Sequence, residues 1–426
     1  VSRRVAAAFL GRLPEASRMG ARHAGRPPPI GAMLIRSPVA NAALPAPEAE
    51  ALACSDALSR HIADEIAGTG GWIGFDRFME RALYTPAMGY YAGGARKFGA
   101  AGDFVTAPEL CAAFGQTLAA QVAQLLALSA PRIIEVGAGS GQLAVDLLGE
   151  LERRGALPDS YAILELSGEL RARQGEKLAA RAPHLLPRVS WLERLPTHFD
   201  GVVLANEVLD AMPVGLVVWH GDDIAERGVA VDDGRFVWRE RPATGALLAK
   251  ARAVAADREL PPGYLSEIPL AASAWIAEWA AVLGRGALLL IDYGFPRREF
   301  YHPQRHAGTL MCHYRHHAHG EPFYLPGLQD ITAHVDFTAI VESACGAGLE
   351  LLGYATQANF LFNCGLTEVL ARTPTDDPRS YLALAGAAQK LISPAEMGEL
   401  FKVMALGKGI AEPLLGFAVG DRSVTL

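Results

Sequence analysis

Pro131-Arg-Ile-Ile-Glu135-Val-Gly137-Ala-Gly139-Ser-Gly141-Gln142-Leu-Ala144 is the stretch that decides the fold. A short apolar strand ends in an acidic residue, turns through three alternate glycines and enters an apolar helix. Glycines at such a turn let the backbone pass close to a ligand, and the helix start offers free N–H groups. The dinucleotide fingerprint wants glycine or alanine three residues beyond its second glycine, and here that residue is Gln142. The turn therefore predicts a nucleotide-like ligand and argues against a nicotinamide dinucleotide.

Working outward, strands and helices alternate as in a doubly wound parallel sheet. The pattern predicts strand 132–136, helix 142–154, strand 161–166, helix 169–182, then strands 189–192 and 201–205. From Leu216 to about Pro242 short β-rich runs are separated by Gly221-Asp-Asp and Asp233-Gly234, which predicts antiparallel hairpins inserted into the sheet. A helix over 270–283 leads to a buried strand over 287–292, followed by a polar, His-rich loop from Arg297 to about Gln329. Upstream, Leu58, Ile62 and Ile66 mark a helix, and 99–109 is a glycine-punctuated loop. The expected organisation is a disordered leader (1–50), a helical and loop region over the cofactor (51–115), a first core part (116–215), a β-rich insertion (216–270), a second core part with the His-rich loop (271–372) and a C-terminal helical region (373–426).

The chain has 426 residues, half of them hydrophobic, and a formal net charge of −7, which argues against a general nucleic-acid binder. Five dispersed cysteines without a C-x-x-C pair fit free thiols better than a disulfide framework. The first 47 residues carry seven arginines against one acid, Glu15, a formal +6, so the remainder carries −13. Such a segment reads either as an organelle transit peptide or, preferred here, as a disordered or mistranslated leader. No stretch approaches membrane-span length. The expected location is the bacterial cytoplasm, with the mitochondrial matrix as the alternative if the leader is a transit peptide. A homodimer is one open assembly.

Ligands in such sheets bind beyond the carboxyl ends of the strands, so the residues just after each strand carry the chemistry. Glu135, Gly137, Gly139 and Gly141 follow the first strand, and Glu165 stands where an acid accepts ribose hydroxyls. After the fourth comes Asn206-Glu207-x-x-Asp210. If a helical turn starts there, Glu207 and Asp210 face one side and suit a guanidinium, whose charge and planar fork two carboxylates can hold. An N-terminal helix cap is the equal alternative. Asp292-Tyr293-Gly294 either lines the cleft from the far side or begins an Asp turn. His302, His306, His313, His316, His317 and His319 match no standard zinc spacing, so a solvated or substrate-contacting loop is preferred and no metal is expected.

The spacing Glu-x-Gly-x-Gly-x-Gly resembles that of class I S-adenosylmethionine (SAM) methyltransferases. From about Leu58 onward the chain resembles the MidA-type SAM-dependent methyltransferases, which include the mitochondrial complex I assembly-factor arginine methyltransferase. The likeness is carried by residues 99–109, 135–141, Ala205-Asn-Glu-Val-Leu-Asp-Ala-Met-Pro213, Ile291-Asp-Tyr-Gly294, Gly308-Thr-Leu-Met-Cys-His-Tyr-Arg315 and Asp330-Ile-Thr-Ala-His-Val-Asp-Phe337. It implies a class I methyltransferase core with SAM as methyl donor, whose amino-acid end lies over the glycine turn beside Glu135. For the mitochondrial branch it implies arginine methylation of a complex I subunit during assembly. It gives weight to Asp103, Thr106 and Glu109 as a loop over the cofactor, and to Asn206 as a cofactor contact. Glu207 and Asp210 become the catalytic pair, while Asp292, Tyr293, His313, Arg315 and Asp336 become candidates for the acceptor site. A methyltransferase for a small molecule or another side chain, and a SAM-binding assembly chaperone, remain the alternatives.

Overall fold

Apolar strands buried on both faces need helices above and below them, and this chain supplies both from its two halves. A computed structural model describes residues 44–93, 106–256, 258–372 and 378–426. Most of the expected leader, and Asp103 in the expected covering loop, lie outside the described residues. Helix α1 (Ala49–Gly68), the short strand β1 (Ile73–Gly74) and α2 (Phe75–Tyr84) come first. After α3 (Ala107–Leu110) and α4 (Ala113–Leu128) the core begins with β2 (Arg132–Val136), α5 (Gln142–Arg153), β3 (Ser160–Leu164), α6 (Gly168–Arg181), β4 (Val189–Leu192) and β5 (Phe199–Asn206). These elements stand where the alternation predicts them, with ends moved by one or two residues.

Strands β6 (Gly215–His220), β7 (Asp223–Asp232) and β8 (Arg235–Pro242), then α7 (Gly245–Ala256) and β9 (Tyr264–Ile268), interrupt the core before α8 (Leu270–Val282) and the long β10 (Leu283–Phe295). Beyond them lie α9 (Arg297–Phe300), β11 (Met311–Tyr314), β12 (His317–His319), β13 (Asp330–Thr332), β14 (Val335–Asp336), α10 (Phe337–Gly346) and β15 (Glu350–Thr356). The chain closes through α11 (Gln357–Asn363), α12 (Leu366–Leu370), α13 (Pro378–Ile392), α14 (Met397–Leu400) and β16 (Phe401–Lys408).

The central sheet has the order β15-β16-β10-β5-β2-β3-β4, with β14 paired to the end of β10. Strands β10, β5, β2, β3 and β4 are parallel, whereas β16 runs antiparallel between β10 and β15. The chain departs from β2 towards β3 and β4 on one side and returns to β5 and β10 on the other. The crevice where a doubly wound sheet binds ligands therefore opens between the ends of β2 and β5. Alternate residues feed two cores. Ile133, Val202, Leu204 and Leu289 pack with Leu118, Leu143 and Leu147 of α4 and α5. Ile134, Val203, Leu288 and Leu290 pack with Trp275, Ile276 and Trp279 of α8.

A second sheet, β1-β7-β6-β9 with β8 on β7, and a three-stranded sheet, β12-β11-β13, stand off the core. Phe75, Phe78 and Met79 of α2 join them through Leu216, Val229, Phe236, Phe323 and Ile331. Two expectations are corrected. The segment taken as a polar loop to Gln329 contains α9, β11 and β12, because its few apolar residues, such as Cys312 and Phe323, reach this shared core. The C-terminal region read as helical contains β16, whose Val403-Met-Ala-Leu406 run is buried and takes its hydrogen bonds from strands on either side.

Candidate active site

The crevice is a cavity of about 640 Å³. Its cofactor end is built by the glycine turn. Gly137 (φ 64°) and Gly141 (φ 80°) lie in the left-handed region, and a Cβ on Gly141 would come within 3.3 Å of Gln174. Gln174 braces the turn, donating from Nε2 to the Gly139 carbonyl at 3.0 Å and to Glu165 Oε2 at 3.2 Å, while its Oε1 accepts from Trp191 at 2.9 Å. Lys177 donates to Ser140 Oγ (2.8 Å) and Gln142 Oε1 (3.1 Å), and Glu109 accepts from the Ser140 hydroxyl.

Glu135 and Glu165 both line the cavity. Burial pushes Glu135 up to about 7, opposed by the Tyr161 hydroxyl that donates to it at 2.7 Å. Burial also raises Glu165, although the Ser167 N–H donates to it at 2.9 Å. Among the described residues no Lys or Arg lines the cavity. Within the described lining a pyrophosphate would therefore meet several carboxylates and no Lys or Arg, whereas the ammonium and ribose hydroxyls of SAM are donors suited to such acceptors. The residues fit SAM.

The other end is carried by the turn after β5. Glu207 has a left-handed backbone (φ 53°), and its N–H donates to the Ile291 carbonyl at 2.8 Å. Asp292, buried behind the turn, takes the next three N–H groups on Oδ2: Val208 at 3.2 Å, Leu209 at 2.9 Å and Asp210 at 3.3 Å. No helix starts here, so the cap reading of Glu207 and Asp210 falls, yet both side chains line the cavity. The Glu207 carboxylate accepts from Asn206 Nδ2 at 3.1 Å and from the Ala107 N–H at 3.4 Å. Burial, and then the neighbouring Asp210, push it up to about 8. Asp210 is raised by burial to about 6, opposed by Tyr293, whose hydroxyl donates to Oδ2 at 2.5 Å. Asn206 Oδ1 and Asp210 Oδ1 are buried without a hydrogen-bond donor.

Tyr293 and His313 line the cavity as expected of acceptor-site candidates. Three other candidates do not. Asp292 spends its carboxylate on the turn. Asp336 caps α10, accepting from the Ala339 N–H at 3.1 Å and facing Arg297 at 3.8 Å. Arg315 sits in the β11–β12 turn and donates to the Ala46 carbonyl at 3.2 Å.

Sequence reasoning missed Tyr84, Tyr91, Asp330, Thr332 and His334, all on the cavity wall. Tyr91 donates to both oxygens of buried Asp330 (2.9 and 3.0 Å) and stacks on Tyr84 with ring centroids 5.5 Å apart. His334 stacks on Phe295 (5.3 Å, 8°), is pushed down to about 4 by burial, and is neutral near pH 7. The one available signal was the alternation Asp330-x-Thr332-x-His334 within a stretch already noted as a whole.

Comparison with known proteins places this geometry. A protein from Burkholderia thailandensis, crystallised with S-adenosyl-homocysteine, is 55% identical and superposes with a TM-score of 0.87, over 90% of this chain and all of that one. A native structure from the same organism is 54% identical over the same shares, with a TM-score of 0.85. Two curated relatives, the mitochondrial protein arginine methyltransferases NDUFAF7 of Danio rerio and Mus musculus, are 29% and 28% identical. Their alignments span 81% and 82% of this chain, and 85% and 84% of those proteins. Among the described residues no helix is long and apolar enough to cross a membrane. Residues 115–355 match the protein family described as "Putative S-adenosyl-L-methionine-dependent methyltransferase". The chain belongs to that family, and S-adenosylmethionine is its methyl donor.

Proposed function

We propose that the chain is a protein arginine N-methyltransferase, with Glu207 and Asp210 holding the guanidinium. The observation that carries this reading is the acceptor end of the cavity. It offers Glu207, Asp210 and the donor-less oxygens of Asn206 and Asp210, with no Lys or Arg among the described lining residues. Two NDUFAF7 relatives named as protein arginine methyltransferases support a protein acceptor. The resemblance seen in the sequence extends the reading to a subunit of respiratory complex I during assembly. Likeness to a Burkholderia protein favours the bacterial cytoplasm as the place of action.

At the cofactor end, Glu135 receives the amino-acid portion, Glu165 the ribose and Asn206 a further polar edge, with the glycine turn beneath. Bound SAM supplies an electrophilic methyl group on a sulfonium. A guanidinium keeps its protons throughout the physiological range, so no base strips one before attack. Glu207, raised to about 8 by burial, gives up its proton as the cation arrives, because a nearby positive charge favours the carboxylate. Glu207 and Asp210 then fix the planar fork and concentrate its charge away from the attacking nitrogen. Attack on that methyl group would leave the carbon–sulfur electron pair with the sulfur, and Asp210 Oδ1, buried without a hydrogen-bond donor, would take the proton that the nitrogen releases. Tyr293 holds Asp210 in place for that transfer. Positioning and electrostatics supply the rate.

Incubation with methyl-labelled SAM and cell lysate tests this. Wild type labels a protein band whose mass spectrum carries methylarginine, while Glu207→Ala and Asp210→Ala lose nearly all labelling and still bind S-adenosyl-homocysteine. Unchanged labelling in both variants, or methylation of another residue type, refutes the assignment.

A further inference from the structure

Beside the Glu207–Asp210 turn, joined to it by the Ala333 N–H donating to the Asp210 carbonyl at 3.0 Å, runs an extended segment that the mechanism above does not use. Residues of an extended chain alternate sides. Ile331 and Ala333 turn into the core shared with α2 and the inserted sheet, where they are almost fully buried. Asp330, Thr332 and His334, the alternate set, all line the cavity. Strand β13 pairs with β11 so that Asp330 lies opposite His313, a further lining residue.

Each member of this wall presents acceptor chemistry. Asp330 is held by the Tyr91 hydroxyl and by the Ile331 N–H at 2.9 Å. His334 is fixed by its stacking on Phe295 and by its own N–H donating to Thr309 Oγ1 at 3.0 Å, while its Nδ1 is buried without a partner. Asp330 also sits close enough to Glu207 to oppose that residue's ionisation. The cavity thus draws carboxylates from two neighbouring segments, the turn after β5 and the chain 330–334.

We propose that the extended segment Asp330–His334 is the acceptor-recognition wall and that Asp330 supplies the charge by which the site selects a cationic methyl acceptor over a neutral one of the same shape. The inference rests on the arginine reading given above. An arginine fork bears N–H donors on three nitrogens, more than the Glu207–Asp210 turn alone can meet from one side. A third carboxylate on the neighbouring segment engages a further edge of the fork, leaving one nitrogen exposed towards the cofactor end. A neutral urea of equal size presents a carbonyl oxygen there, and Asp330 repels it. Selection of this kind combines attraction of the right ligand with an unpaired contact against the wrong one.

Two tripeptides test it by calorimetry on the full-length protein saturated with S-adenosyl-homocysteine: acetyl-Gly-Arg-Gly amide and its isosteric citrulline counterpart. Wild type binds the arginine peptide at least tenfold more tightly. Asp330→Asn, which keeps an oxygen for Tyr91, loses about tenfold of that preference, through weaker arginine binding together with tighter citrulline binding. Asp330→Glu retains most of the preference, and Asp330→Ser replaces the asparagine variant if that one does not fold. Full preference in a folded charge-free variant overturns this inference and leaves the arginine reading standing. Absence of any preference in wild type overturns both.

Discussion

Asp292 never reaches the cavity, yet the acceptor turn depends on it. Its Oδ2 receives three consecutive N–H groups and its Oδ1 accepts from the Tyr293 N–H at 2.9 Å. In Asp292→Asn the amide has one oxygen, so either the turn or Tyr293 meets an NH2 group instead of an acceptor. Leaving a buried N–H unsatisfied costs about 1–3 kcal/mol, and exchanging a charged for a neutral acceptor removes about 1 kcal/mol more. Relaxation of Glu207 out of its left-handed conformation returns about 1 kcal/mol. The net expectation is a loss of about 1–3 kcal/mol, read as a lower urea midpoint by tryptophan fluorescence. Methyl transfer falls further than S-adenosyl-homocysteine affinity, because the displaced groups, Glu207 and Asp210, belong to the acceptor end. A variant with the wild-type midpoint and wild-type transfer refutes the claim that this carboxylate organises the turn.

Three further outcomes are expected. Glu207→Gly removes left-handed strain and a buried acid together, so the protein gains about 1 kcal/mol in urea unfolding while methyl transfer nearly vanishes; a destabilised variant contradicts the strain assignment. Glu207 binds its proton more tightly folded than unfolded, so stability falls as pH rises from about 5 to about 8, and Glu207→Gln flattens that slope in pH-dependent unfolding; an unchanged slope assigns the protons elsewhere. Gly141→Ala forces a side chain into φ 80° against Gln174, which costs about 1 kcal/mol and weakens S-adenosyl-homocysteine binding about fivefold by calorimetry; wild-type affinity argues against a shaped cradle.

The cofactor end was legible because its parts lie within one strand–turn–helix unit and the next strand end. Glu135, the glycines and Glu165 could be located by counting from predicted strands. Glu207 and Asp210 were found in the same way, although the helical turn weighed for them does not form. The reason is long-range: the N–H groups of 208–210 are claimed by Asp292, 82 to 84 positions away, so the helix never begins. The acceptor wall was harder still. Tyr91 meets Asp330 across 239 positions, and only the packing of α2 against the small sheet brings them together. Within the blocks that carried the family likeness, Asp292, Asp336 and Arg315 looked as reactive as Asp330. Burial and hydrogen bonding, which no spacing reveals, commit the first two to the scaffold and leave Arg315 on the surface.

The three-stranded sheet β12-β11-β13 shares no strand with the central sheet that carries the cofactor turn. Its backbone ladder can tolerate exchange of the alternate side chains at 313, 330 and 332 without touching the glycine cradle. On the proposal made for Asp330, cofactor chemistry and acceptor choice are open to separate mutational drift. A library confined to those positions is a direct route to new acceptors on an unaltered methyl-transfer engine, and divergence within the family has the same route available.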